Sequence, residues 1–415
     1  MDCHEAKDPE ANLVLESFET LRKGGESGAA IVPGKSDESL LVKMIEGKIE
    51  KDGKKKIMPP GKKKKLEPAE IALIKAWIDA GALPPKGSQM LVKELIVPKI
   101  TPKITPRKAI QALAAMTDSR LIAVATYGEV ELRSGETGAL IRTLSGPRGK
   151  VNALVFSKDG SHLFAAGGEN ALFGEVKQWN VSEGALLRTF RGHKDTLYSI
   201  AISPDGKILA TGSYDQKIKL WDVASGQENK TLSGHNGAVL GLAFRPDGKI
   251  LASASSDRTV KLWDVATGER RDTLSQSLKD VLTVAFSVDG KKLYAGGVDN
   301  RIRVWQISDT AAETTNPILE SRFAHDGTIL RLCFSPDGKW LLSSADNSTV
   351  KLWDATTLKE KLLLGKQPDW ATGLAFGLNN KIVVGRLDGS LGIYELASGK
   401  LLSANWMTNS SVPKQ

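Results

Sequence analysis

At 415 residues the chain exceeds one ordinary domain, and 41% hydrophobic residues suffice for a sizeable core. Its formal charge of +9 sits largely in one lysine-rich stretch with no interleaved aromatics, so the stacking surface of a single-strand nucleic-acid binder is missing. No run approaches the roughly 20 apolar residues needed to span a bilayer, and two cysteines, Cys3 and Cys333, make no disulfide framework.

The chain opens on Met1-Asp2-Cys3-His4, the second half of a Cys-x-x-Cys-His sequence whose first Cys would stand just before Met1. In that sequence two thiols add to the vinyl groups of a haem and the His ligates iron. Gly24-Gly25-Glu26-Ser27-Gly28 predicts a turn-rich loop, because glycine takes positive φ cheaply. Ser36 is placed to cap a short helix carrying Leu40, Leu41, Met44 and Ile45, stopped at Gly47. Pro68 opens a second helix with Ile71, Ile74, Trp77 and Ile78 as its apolar stripe and Gly81 as its end. Between them, Ile57-Met58-Pro59-Pro60-Gly61 holds a methionine outside any helical stripe on a proline-stiffened loop. A thioether at fixed reach is what a His/Met haem requires.

This order of motifs resembles the planctomycete-type cytochrome c domain, which pairs Cys-x-x-Cys-His with a later Met-Pro-Pro. The run Gly24 to Gly34, Ser39-Leu40-Leu41 and Trp77-Ile78-Asp79-Ala80-Gly81-Ala82 fit that family as well. The resemblance implies a small all-α haem domain over residues 1–86. It also implies haem c with Cys3 as thioether anchor, His4 as proximal and Met58 as distal iron ligand. Lys51, Lys54, Lys55, Lys56, Lys62, Lys63, Lys64 and Lys65 bracket Met58. Such a ring would steer an acidic redox partner; the plainer reading is a solvated loop. Residues 1–20 contain no charged-then-apolar leader, although haem c is attached outside the cytoplasm. The expected reading is a start truncated from a periplasmic or extracytoplasmic protein whose upstream Cys exists. The missing Cys falls where truncation would remove it, while Met58 and the helices remain. If Met1 is the true start, the protein is cytoplasmic and its first domain vestigial and without haem.

Pro98, Pro102 and Pro106, amid Lys and Thr, predict a linker over 87–106, with Leu91–Val97 a possible closing strand. Beyond it, Trp179, Trp221, Trp263 and Trp305 recur every 42 residues, followed by Trp353 and Tyr394. A period in the low forties ending in Trp-Asp marks the WD40 repeat, one four-stranded blade per copy. Asp205-Gly206, Asp247-Gly248, Asp289-Gly290 and Asp337-Gly338 supply the hairpin turns. Apolar strand starts near Ala109, Val151, Leu197, Val239, Val281, Ile329 and Ala371 predict an all-β seven-bladed propeller over 107–405, with a tail at 406–415. The WD40 resemblance implies a structural tetrad of His, Ser or Thr, Asp and Trp. It falls on His193, Thr211, Asp215 and Trp221, and on His235, Ser253, Asp257 and Trp263. His325 keeps the spacing to Trp353, but Asn347 takes the Asp place. Two insertions, Asn170–Gly174 and Asp309–Pro317, are candidate partner-binding loops. No nucleophile–base pair, phosphate loop or further metal cluster is present, so the sequence predicts no enzyme. It predicts a one-electron carrier on a platform that binds a protein partner through one propeller face, or, failing haem, the platform alone.

Overall fold

A computed structural model describes residues 13–15, 18–51, 54–60, 63–84, 107–116, 118, 120–309, 315–377 and 379–406. The chain divides into two compact units, Met1–Thr101 and Pro102–Gln415. Cys3, His4, the 87–106 linker and the end of the tail lie outside the described residues.

The expectation of a small all-α first domain is overturned. The described residues of the chain are 51% strand and 8% helix, and those of the first unit form three short helices. These are α1 (Phe18–Lys23), α2 (Leu40–Ile45) and α3 (Pro68–Asp79). Between the last two the lysine-rich stretch folds as an antiparallel hairpin, Ile49–Lys51 against Lys54–Lys56. Glu50 faces Lys55 across it, an opposite-charge pair that suits two adjacent strands and that a solvated loop would not form. Ser36 does not cap α2 either. It opens a separate 3-10 turn, and its amide and hydroxyl both donate to the Asp79 carboxylate, at 2.8 Å each. α3 begins with Pro68 behind a capping box of Glu67 and Glu70. Its stripe meets a small core of Ile31, Val42, Ile78 and Ala82.

The second unit is a ring of four-stranded antiparallel sheets. Blades three to seven begin with inner strands Leu197–Ile202, Val239–Phe244, Val281–Phe286, Ile329–Phe334 and Ala371–Gly377, and each pairs its four strands in chain order. Blades one and two share one seven-stranded sheet, because strand Leu140–Phe156 runs through both. Its first part pairs with Tyr127–Ser134 and its second with His162–Glu169. Inner strands of neighbouring blades pack side by side, and that of blade seven packs on Ala112–Ala115 of blade one, closing the ring.

The repeating tryptophan explains how the blades adhere. Trp263, in blade four, packs into a cluster with Ala210, Ile218, Leu220 and Leu232 of blade three. Trp221 does the same against Phe164, Val176 and Phe190 of blade two, and Trp305 against Ile250, Leu262 and Leu274 of blade four. Gly234 lets Trp263 come close: a Cβ there would lie 3.2 Å from the ring.

Candidate functional site

Each sheet runs its inner strand away from one face of the ring, so the loops entering the inner strands and the turns between the second and third strands share that face. The histidine networks sit beneath it. In blade three the structure brings together His193, Asp215, Thr211 and Trp221. His193 Nδ1 lies 2.9 Å from Asp215 Oδ2 and Nε2 lies 2.8 Å from Thr211 Oγ1, which accepts from Trp221 Nε1 at 2.8 Å. In blade four His235, Asp257, Ser253 and Trp263 repeat the arrangement at 2.7, 2.7 and 2.8 Å. One proton order satisfies every member: the indole N–H donates to the hydroxyl, the hydroxyl to Nε2, and Nδ1–H to the carboxylate. With both ring nitrogens engaged, these imidazoles act as fasteners. Each carboxylate also accepts the amide after the histidine, from Lys194 at 3.0 Å and from Asn236 at 3.1 Å. The network therefore ties the loop entering the blade to the turn between its second and third strands. Burial is the largest single influence and raises the Asp215 and Asp257 carboxyls, but the histidine hydrogen bond, the histidine charge and the neighbouring hydroxyl and amide donors together outweigh it and hold both below the usual range.

Blade six reaches the same end by other residues. With Asn347 in the acid's place, His325 Nδ1 pairs with Thr349 Oγ1 and Nε2 with Ser343 Oγ, both at 2.6 Å, while Trp353 Nε1 donates to Ser343 Oγ at 2.8 Å. Burial, aided by the Lys351 charge, pushes His325 down to about 3. Blade five uses Gln276 Oε1 to accept from Trp305 Nε1 at 3.0 Å. In blade seven Gln367 Oε1 accepts from the Tyr394 hydroxyl and from Arg386 Nε, both at 2.8 Å. Thr349, Gln276 and Gln367 are not legible as site residues in the sequence, because each replaces a motif member with a different hydrogen-bonding group; Ser343 holds the tetrad's own hydroxyl place, 18 residues after His325 as Ser253 follows His235. His162, apart from these networks, pairs through Nδ1 with Ser161 Oγ at 2.9 Å.

Onto the face so braced project large apolar side chains. Tyr127, Leu172, Tyr214 and Leu278 are 57–75% exposed, and Trp370 is 44% exposed. Tyr214 directly precedes the Asp215 carboxylate, and its ring lies 6.3 Å from that of Tyr198. Leu172 tips the Asn170–Leu172 turn, which is pinned where the Ala171 amide donates to Asp195 Oδ1 at 2.8 Å. The opposite face instead carries Asp-Gly-Lys turns at 205–207, 247–249, 289–291 and 337–339. The Asp309–Pro317 insertion leaves from that opposite side, and its residues 310–314 lie outside the described ones.

Of the implied haem ligands only Met58 is described. It is half-buried, on a loop anchored where its own amide donates to Met44 O at 3.0 Å and Lys65 Nζ donates to Pro59 O. A thioether on a backbone tied at both sides fits a distal ligand. Among the described residues no cluster of His, Cys, Asp and Glu could hold a metal ion, and none of the described helices is long and apolar enough to cross a membrane.

Three family models match parts of the chain. The family described as IFT122 first beta-propeller matches residues 171–412, more than half of its length. The WD domain, G-beta repeat, matches residues 138–172. Planctomycete cytochrome C matches residues 1–62.

Proposed function

From the premise that the chain belongs to the IFT122 first beta-propeller family, we propose that it is a protein-interaction scaffold. Its partner docks on the face carrying Tyr127, Leu172, Tyr214, Leu278 and Trp370. The observation that carries this reading is large apolar side chains standing exposed together on one face, with the Tyr214 turn tied by the His193 network and the Leu172 turn pinned by the Asp195 carboxylate. Preformed loops lose little entropy on binding, and exposed aromatics are the residue types that dominate interface energies. The test compares capture of partners from native extract by wild type, by Tyr214→Ser with Trp370→Ser, and by Lys207→Glu with Lys249→Glu on the opposite face. The aromatic variant should lose binding by about tenfold or more, the free-energy scale of a hot-spot pair, and the charge variant should keep it. Equal loss in both, or in neither, would sink the assignment of the face.

A second reading rests on the match over residues 1–62 and on the Met58 loop: the first unit carries haem c. Cys3 and His4 would hold the group from one side and Met58 from the other, and the bound group would supply one-electron transfer. The Lys51–Lys65 segment would then meet an acidic redox protein, and the chain would work outside the cytoplasm. A pyridine haemochrome assay on protein from its native source should report covalent haem. Met58→Ala should remove the methionine-ligation band while leaving haem content unchanged. Native protein without haem would leave the scaffold reading alone.

A further inference from the structure

In blades two to seven the pairing of the inner strand slips after its first residue. The residue following the slip is Ala153, Ser199, Gly241, Thr283, Arg331 and Gly373 in turn. These positions face the next blade's inner strand. Ser199 Oγ donates to Val239 O at 3.4 Å, Thr283 Oγ1 accepts from the Leu332 amide at 3.2 Å, and a Cβ on Gly241 would meet Leu282 O at 3.0 Å. Five places around the axis therefore hold small side chains and one holds an arginine.

Arg331 reaches past its neighbour. Its Nε donates to Thr372 O of blade seven at 3.2 Å, Nη1 to Leu330 O at 3.4 Å, and Nη2 to Asn152 O of blade two at 3.4 Å. Blade two lies three blades farther round, so the guanidinium stretches across the channel. Three long hydrogen bonds to neutral carbonyls leave two of its five N–H donors over. No carboxylate among the described residues pairs with it, and burial alone lowers its pKa. The residue as a whole nonetheless keeps part of its surface accessible. A partly buried cation with unspent paired donors matches the fork geometry that binds a carboxylate.

We propose that Arg331 makes the axial channel a binding site for a single carboxylate. The carboxylate comes either from a small free acid or from an acidic side chain threaded in on an extended segment. The site stands apart from the apolar face and does not depend on it. Calorimetric titration of the full chain with malonate and with an acetylated tetraglutamate tests it, with neutral malonamide as control. At least one acidic probe should bind saturably at one per chain, and malonamide should not. Arg331→Met should weaken binding about tenfold or more, the loss of a charge-assisted hydrogen-bonded pair, with Arg331→Lys in between. Binding of malonate identifies a free acid as sufficient; binding of the peptide alone identifies a threaded segment. No saturable binding of either probe to wild type, or undiminished binding in Arg331→Met, overturns the proposal. If Arg331→Met does not fold, the Arg331 Nε resonance of wild type decides: movement under the binding probe supports the site, and a fixed resonance refutes it.

Discussion

Trp263→Ala is expected to destabilise the propeller by about 3–5 kcal/mol, the range for deleting a buried aromatic. The side chain is 2% exposed and sits between two blades, packed on Leu220 and Leu232 of the preceding one. Removing it opens a cavity at a blade boundary and also strips the indole donor from Ser253 Oγ. Ser253→Ala should cost less, about 1–3 kcal/mol, because it leaves the packing intact but orphans His235 Nε2 and Trp263 Nε1. Trp370→Ala is the internal control, since the same residue type on the exposed face should change stability by about 0.5 kcal/mol or less. Urea unfolding followed by circular dichroism measures all three. If Trp263→Ala and Trp370→Ala shift the midpoint equally, the blades are not welded by their tryptophans.

Acid should unfold the propeller steeply. The turn carboxylates repeat one device: Asp205, Asp289 and Asp337 each accept from the serine two residues earlier, and their pKa values are lowered chiefly by that hydroxyl. Asp159, accepting from Ser157 and Ser161, is held at about 2. A carboxyl whose folded pKa lies below its unfolded value of about 3.9 contributes stability that is fully present above that value, and the contribution is lost as pH falls through the folded one. His325 acts in the same direction by the opposite chemistry. Its folded form at about 3 refuses a proton that the unfolded chain takes up near 6.5, so its contribution is complete above about 6.5 and declines below. The urea midpoint should therefore sag gently between about pH 6.5 and 5, then fall sharply toward 2 as the repeated aspartates protonate together. Asp159→Asn should make the lower limb shallower. A midpoint that is flat from pH 6 to 3 would falsify this account.

How much of this was legible in the sequence depended on whether a signal was local. Trp221, Trp263 and Trp305 stand 42 residues apart at the same place near the end of third strands, so the period showed itself. The first unit misled because its lysines read as solvation. The partner that turns Lys55 into part of a hairpin, Glu50, lies across a turn. Thr349 escaped because it substitutes a hydroxyl for a carboxylate while standing 24 residues from His325. Arg331 escaped for a different reason: an arginine on an inner strand looks like an ordinary polar interruption until the small residues at the matching places in other blades are aligned with it. The exposed face was invisible because exposure of Tyr214 or Trp370 is set by the ring, not by the residues beside them.

Every described blade draws its four strands from one unbroken stretch of chain, and blade seven finishes with its own Leu401–Trp406. At the closing boundary blade seven meets the opening of blade one through contacts such as the Ile110 amide on Arg386 O at 3.1 Å, and among the described strands none of one blade completes the sheet of the other. As the polypeptide leaves the ribosome, each sheet can thus be completed before the next is made, with no early strand held unpaired until the last residues arrive. The exception is the pair joined by Leu140–Phe156, which share one seven-stranded sheet and mature together. Among the described residues no terminal strand completes a neighbouring blade's sheet, so none of these strands offers two molecules at high concentration a piece to exchange in closing their rings.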